Sequence, residues 1–434
     1  MKTDRETALL VLYETECHGA YPNLALKKYL KHVNDMLDKA FITNLVYGVI
    51  KRKLTLDYVI EQFSNIKIKK LSDYIRQILR MGIYQILYMD KVPASAAVNE
   101  SVKLAKRYGH GASAGYVNGV LRSVLREGVR WPESKMELLS VREAFPMWLC
   151  EKWVAAFGYE FTEQLMRAMN QDAALTLRAN TLKTTAAALA GQLPGAKVHP
   201  LYAGALESGG FQIEASKAYR EGLFIVQDVA AMMAGVALHP QEGERVMDLC
   251  AAPGGKTTHL AELMQNRGTV LAFDIFEHKI KLVQDNARRM GIGIIRTEVR
   301  DASVYDPALE GSADKILADV PCSGLGIIRR KPDIKWNKEE QSGIAAIQYR
   351  ILENAGRYLK PGGALIYSTC TIDKMENERQ IQRFLTEHPD FKPADFYALL
   401  PEPLRKASAR EGHVTFYPNI DGVDGFFIAK LQKV

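Results

Sequence analysis

Asp248-Leu249-Cys250-Ala251-Ala252-Pro253-Gly254-Gly255-Lys256 is the stretch on which the reading of this chain turns. A short apolar run, RVMDL (245–249), passes through an acid into small residues and two adjacent glycines, and a helical pattern then begins. Such a junction joins a buried strand to a helix, with a backbone bare enough for a ligand to approach closely. The same alternation repeats downstream. TVLAFD (269–274), GIIRTEV (293–299), DKILAD (314–319) and GALIYS (363–368) read as strands separated by helical stretches. That pattern predicts an α/β, Rossmann-like domain: a parallel sheet covered by helices on both faces. HVTFYP (413–418) and GFFIAKLQ (425–432), joined by a turn at Asn419-Ile420-Asp421-Gly422, predict a closing antiparallel hairpin.

Ligands of open α/β sheets bind at the carboxyl ends of the strands. Those ends carry acids here. Asp248 closes the first strand, Asp274 the second and Asp319 the fourth, and Asp301 follows the third. Asp274 lies 19 residues after Gly255, where an acid holds a ribose diol. Two nucleotide readings fail. A phosphate-binding P-loop needs glycine where Cys250 stands, and GxGxxG is absent because Gly254 and Gly255 are adjacent. Several carboxylates repel a pyrophosphate. They suit a ligand with a ribose and a positive centre, such as S-adenosylmethionine.

The five cysteines are Cys17, Cys150, Cys250, Cys322 and Cys370. None forms a CxxC and no histidine cluster supplies metal spacing, so neither a disulfide framework nor a metal site is expected. One cysteine alone reads as a small buried hydrophobe. Cys322 follows Asp319-Val320-Pro321 and Cys370 follows Tyr367-Ser368-Thr369, at the tips of the fourth and fifth strands. Two thiols on the rim of a cofactor pocket fit simple packing poorly.

Outward from this centre, 434 residues imply two or three domains. Residues 1–130 read as all helix, opening on a possible capping box, Thr3-Asp4-Arg5-Glu6. Residues 131–222 read as a small α+β linking domain, and 223–434 as the α/β domain. The net charge is +7, unevenly placed. Residues 1–130 hold 21 Lys and Arg against 12 Asp and Glu, and the remainder holds 36 against 38. A basic helical module on a nearly neutral body points to a polyanionic partner, although a solvated Lys-rich face has the same composition. No run approaches the roughly 18 apolar residues of a membrane span. The polar N-terminus lacks the pattern of a secretory signal, so a cytoplasmic location is expected. A monomer is the expected state.

The segments 248–256, Asp-Val-Pro-Cys-Ser-Gly-Leu-Gly (319–326) and Tyr-Ser-Thr-Cys-Thr (367–371) resemble the motifs of RNA cytosine-5 methyltransferases. Asp424-Gly425-Phe426-Phe427-Ile428-Ala429-Lys430 resembles that family's final hairpin. SAAVNESVKLAKRYG (95–109) and YVNGVLRSVLR (116–126) resemble the antitermination factor NusB, and this fusion marks the bacterial branch acting on 16S ribosomal RNA. The resemblance implies a NusB-like RNA-binding domain and S-adenosylmethionine as cofactor. It implies that Cys250, Ala251, Ala252, Pro253, Gly254, Gly255 and Lys256 face the methionine part, Asp274 the ribose and Asp301 the adenine. Asp319 would lie between cofactor and cytosine.

Cytosine C5 is a poor nucleophile, and a thiolate added at C6 makes it enamine-like. Residue logic does not choose between the two thiols. The family resemblance implies Cys370 as nucleophile and Cys322 as the thiol assisting release, whereas similar DNA enzymes attack with the cysteine equivalent to Cys322. Arg329-Arg330-Lys331-Pro332 is a candidate phosphate clamp. Arg178 and Asn180 of LRANTLK are candidates for RNA or interdomain contact. Lys51, Arg52, Lys53, Lys67, Lys69 and Lys70 are candidates for RNA binding by the first domain. The competing readings are an inactive NusB-like assembly factor, and the same chemistry on tRNA, 23S ribosomal RNA or DNA.

Overall fold

Thr3 starts the first helix as the sequence predicts, but only half of the capping box forms. Its Oγ1 accepts from the Glu6 N–H at 3.2 Å. The Glu6 carboxylate turns inward to Tyr108 (2.6 Å) and Arg107 (2.9 Å) instead of reaching back. The computed structural model describes residues 2–209, 213–336 and 343–434. They divide into two units, Met1–Asn170 and Gln171–Val434.

The first unit is helical. It comprises α1 (Asp4–His18), α2 (Pro22–Leu30), α3 (Met36–Phe63), α4 (Asp73–Tyr88), α5 (Ala94–Tyr108), α6 (Ser113–Glu127), α7 (Lys135–Glu143), α8 (Met147–Phe157) and α9 (Tyr159–Asn170). Apolar residues spaced three and four apart, such as Leu45, Val49 and Leu56 of α3, form its core. Helix α7 folds onto α3: Thr55 Oγ1 donates to the Val141 carbonyl at 2.5 Å. By contacts the division falls at Asn170, inside the segment read over 131–222, so that α7, α8 and α9 group with the first unit and the strands with the second. No helix among the described residues is long and apolar enough to cross a membrane.

The second unit holds two sheets. The smaller is antiparallel, ordered β2 (Lys197–Val198), β3 (Ala205–Ser208), β1 (Leu175–Ala179), β4 (Phe224–Val226), with short helices α10 (Ala186–Ala190) and α11 (Lys217–Arg220). The larger contains β5 (Arg245–Asp248), β6 (Thr269–Asp274), β7 (Ile295–Val299), β8 (Ala313–Asp319), β9 (Leu359–Thr369), β10 (Phe391–Pro393), β11 (His413–Phe416) and β12 (Phe426–Lys433). Its order is β10-β12-β9-β8-β5-β6-β7, with β11 on β12. Strands β5 to β9 run parallel, and β12 returns antiparallel beside β9. Helices α12 (Val229–Leu238), α13 (Gly255–Leu263), α14 (Glu277–Met290), α15 (Ile344–Tyr358) and α16 (Glu378–Glu387) accompany it. The order reverses at β5, which sits between β6 and β8. That reversal opens a crevice at the carboxyl ends. The turn expected at 419–422 is instead a short helix, α17 (Pro418–Asp421), because the Asp421 carboxylate accepts from the Tyr417 N–H at 2.7 Å and from Lys406 at 2.7 Å.

Candidate active site

Strand β5 delivers Asp248 into a fully buried position. Its carboxylate accepts from Thr257 Oγ1 at 2.7 Å and from the Cys250 N–H at 3.4 Å, tying the loop to the first turn of α13. Burial pushes its carboxyl up to about 7, against the pull of the Thr257 hydroxyl and with the help of nearby Asp319. Gly254 takes a φ of +105°, and a Cβ there would lie 3.2 Å from the Val283 Cα, so the loop seats directly on α14.

Arg178, on β1, lies beneath this loop and is 1% exposed. Its Nε and Nη2 meet the Glu262 carboxylate at 3.1 and 2.8 Å, and its Nη1 donates to the Gly255 carbonyl at 2.5 Å. Thr258 and Gln227 accept the remaining bonds. Asn180 donates to the carbonyls of Gly222 (2.8 Å) and Met290 (2.9 Å). Both are buried residues that tie the smaller sheet to helices α13 and α14, and neither is free to touch RNA.

Around the crevice the acids converge. Burial and the carboxylates of Asp248, Asp319, Asp274 and Asp301 together push the Cys250 thiol well above its ordinary value. Cys250 is thus an inert packed residue. Asp274 is buried, and its Oδ1 accepts from the Phe276 N–H at 3.1 Å. Asp301 Oδ1 accepts from the Ser303 N–H (2.9 Å) and hydroxyl (2.7 Å). The second oxygen of each has no hydrogen-bond partner among the described residues, while Ile275, Phe276 and Val304 beside them are exposed. Spare carboxylate oxygens next to exposed apolar side chains fit a nucleoside, with hydroxyls for the acids and a flat ring for the apolar groups.

Asp319, at the end of β8, is held from two sides. Lys256 Nζ donates to Oδ2 at 2.7 Å and Ser368 Oγ donates to Oδ1 at 2.8 Å. The Lys256 ammonium also stands 5.0 Å from the Phe426 ring centroid. Burial pulls the Lys256 pKa down, but the Asp319 carboxylate outweighs it and the ammonium is retained.

The two rim thiols face each other, with Cys322 Sγ and Cys370 Sγ 3.1 Å apart. Both backbones are pinned. The Val320 N–H donates to the Ser368 carbonyl (3.1 Å) and the Gly326 N–H to the Cys370 carbonyl (3.0 Å). A Cβ on Gly326 would sit 2.0 Å from the Gly425 carbonyl oxygen, so only glycine allows the Cys322 loop to lie against the hairpin. The hydrogen bond shared with Cys322 lowers the Cys370 pKa, with Lys256 and Lys331 adding to it against burial and Asp319. The same hydrogen bond, with burial, raises Cys322 well above its ordinary value. The shared hydrogen bond favours ionisation of Cys370 over Cys322.

Sequence reasoning missed the residues that hold this pair. Glu376 is buried; its Oε2 accepts from the Ser323 N–H (2.9 Å) and from Gln348 Nε2 (2.8 Å), and Gln348 also donates to the Pro321 carbonyl (2.9 Å). No spacing pattern marks them. The expected phosphate clamp is largely occupied. Arg329 and Arg330 both pair with Asp424, and both also reach Asp228. Lys331 stays exposed. In the first unit, Lys51 is buried and donates to the Asn170 carbonyl (3.1 Å), Arg52 to the Arg142 carbonyl (3.0 Å), and Lys53 lies 3.5 Å from Glu16. Lys67, Lys69 and Lys70 are exposed.

Known proteins place this arrangement. Residues 235–432 match the family described as 16S rRNA methyltransferase RsmB/F, residues 2–126 the NusB family, and residues 145–231 the ferredoxin-like domain of RsmF/B-like methyltransferases. A probable ribosomal RNA small subunit methyltransferase B of Bacillus subtilis is 39% identical, over 99% of this chain and 98% of its own length. The counterpart in Synechocystis is 36% identical over the full length of both. The crystal structure of PH0851 matches with a TM-score of 0.82 at 31% identity, covering 98% of each chain. A methyltransferase homolog from Pyrococcus horikoshii matches with a TM-score of 0.58 at 30% identity, over 70% of this chain and all of that one. With a helical NusB domain, a ferredoxin-like sheet and a mixed-sheet methyltransferase domain in one polypeptide, the chain belongs to the ribosomal RNA small subunit methyltransferase B family.

Proposed function

We propose that the chain methylates C5 of a cytosine in 16S ribosomal RNA, with S-adenosylmethionine as donor and a covalent bond between Cys370 Sγ and cytosine C6. The observation carrying this reading is the pair of thiols 3.1 Å apart, one with its pKa lowered and one with it raised, beside the Lys256–Asp319 pair. When bound, the donor supplies an electrophilic methyl group on a sulfonium. Asp274 holds its ribose hydroxyls, Asp301 its adenine, and the loop from Cys250 to Lys256 backs its methionine part.

Cys370 adds to C6 as the thiolate and pushes electron density to C5. Asp319, fixed by Lys256 and Ser368, accepts from the cytosine amine and orients the ring. C5 bonds to the donor's methyl group, a base takes the C5 proton, the electrons of that C–H bond re-form the C5–C6 double bond, and the C6–S bond breaks with Cys370 leaving as thiolate, a release that Cys322 assists. The cytosine reaches the thiols unstacked from its neighbours. Lys331 and the exposed lysines Lys67, Lys69 and Lys70 contact RNA phosphates.

The test is methyl transfer from labelled cofactor to 16S ribosomal RNA, with tRNA and 23S ribosomal RNA in parallel. Cys370→Ala should be inactive and form no covalent complex. Cys322→Ala should form the adduct and release it slowly, leaving trapped protein–RNA. Trapping by Cys370→Ala instead would exchange the two roles, and full activity of both variants would end the covalent mechanism.

A further inference from the structure

We propose that Cys322 and Cys370 also form a peroxide-reactive dithiol, which closes reversibly into a disulfide and shields the nucleophile from irreversible oxidation. The bond itself does not depend on the function proposed above; only the loss of activity that follows it rests on that reading.

Geometry carries the inference. The sulfurs are 3.1 Å apart, so closing to the roughly 2.05 Å of a disulfide needs a movement of about 1 Å. Their backbones extend from neighbouring parallel strands in which Asp319 is opposite Ser368. The Val320–Ser368 and Gly326–Cys370 backbone bonds and the 2.9 Å contact between the Ser323 and Thr371 hydroxyls hold the two loops side by side. Both cysteines are partly accessible, so a small oxidant reaches them. Cys150 is buried, and carboxylates surround Cys250, so these two are poor competitors.

The chemistry balances with hydrogen peroxide as oxidant. The Cys370 sulfur attacks one peroxide oxygen; an S–O bond forms, the O–O bond breaks, and the departing hydroxide takes a proton to become water. The Cys322 sulfur then attacks Cys370 Sγ. An S–S bond forms, the S–O bond breaks, and the hydroxide leaves with the Cys322 proton as a second water. Two thiols give two electrons to one peroxide. Cys370 is the first to react because the Cys322 hydrogen bond, with Lys256 and Lys331, favours its thiolate.

The test treats the full chain with one equivalent of hydrogen peroxide, alkylates the remaining thiols and maps unreduced peptides by mass spectrometry. A Cys322–Cys370 link is expected, with free thiols falling from five to three and returning with dithiothreitol. Methyl transfer should fall and recover in step. With peroxide in excess, Cys322→Ser should gain two oxygens on Cys370, one from each of two peroxides, and dithiothreitol does not remove them. Failure of the link to form, or sulfinic acid accumulating on Cys370 as fast in the unmodified chain as in Cys322→Ser, overturns the proposal. A link formed with methyl transfer intact supports the dithiol and overturns the catalytic reading. No link, with Cys370→Ala inactive, does the reverse.

Discussion

Arg178→Met tests how the smaller sheet supports the loop from Cys250 to Lys256, which we propose backs the cofactor. Arg178 and Glu262 are each 1% exposed, and the guanidinium spends all its donors on Glu262, Thr258, Gln227 and the Gly255 carbonyl. Removing one partner of such a pair strands the other, at a cost of about 3–5 kcal/mol. Burial already raises the Glu262 carboxyl, with Arg178 as the main opposing influence. Without Arg178 that carboxyl rises further, so the folded state takes up a proton that the unfolded state does not. Stability contributed by that protonation is lost as pH rises toward the folded value, so the variant should be least stable at neutral pH and regain stability toward pH 5.

Pairing it with Glu262→Leu removes the stranded charge, and most of the loss should return because an apolar pair of similar volume is tolerated. The lost bond to Gly255 does not return, so cofactor affinity stays lowered in both variants. Urea unfolding of the full chain by circular dichroism gives the stabilities, and calorimetric titration with cofactor gives the affinities. A cost under about 1 kcal/mol for Arg178→Met, or a double variant no more stable than the single one, would refute the reasoning.

Asp248, raised to about 7 from an ordinary 3.8, disfavours folding as pH climbs through that window; Asp248→Asn should remove up to about 4 kcal/mol of this slope, read as the difference in urea stability between pH 4 and pH 8. An unchanged slope would contradict that assignment. Lys256→Met should move the pH midpoint of Cys370 alkylation upward, since the ammonium helps to favour the thiolate; a midpoint that stays or falls rules that influence out. Neutralising Lys67, Lys69 and Lys70 together should weaken RNA binding and lower its salt slope by about 3, whereas Arg330→Ala should cost thermal stability and leave the slope alone. Equal slopes in all three proteins would remove the lysines from the RNA surface.

The parallel strands were legible because buried strands read as continuous apolar runs, and acids mark where they reach the crevice. TVLAFD coincides with β6 from Thr269 to Asp274. The start of β9 was not, because Pro361-Gly362-Gly363 has turn composition, yet the strand begins at Leu359 across an irregularity in its pairing with β8. Charge was the least legible property. A count gives Arg178, Arg329, Arg330 and Lys51 the same weight as Lys67 or Lys331. What separates them is a partner far away in sequence: Glu262 for Arg178, Asp228 and Asp424 for the arginine pair, and the Asn170 carbonyl for Lys51. Local patterns carry no information about such partners, since each is brought in by the fold. A cation whose charge is spent on a buried acid is worth little to a phosphate, because moving it would strand that acid. The surface proposed for RNA is therefore smaller than composition implies, and rests on the lysines that folding leaves in solvent.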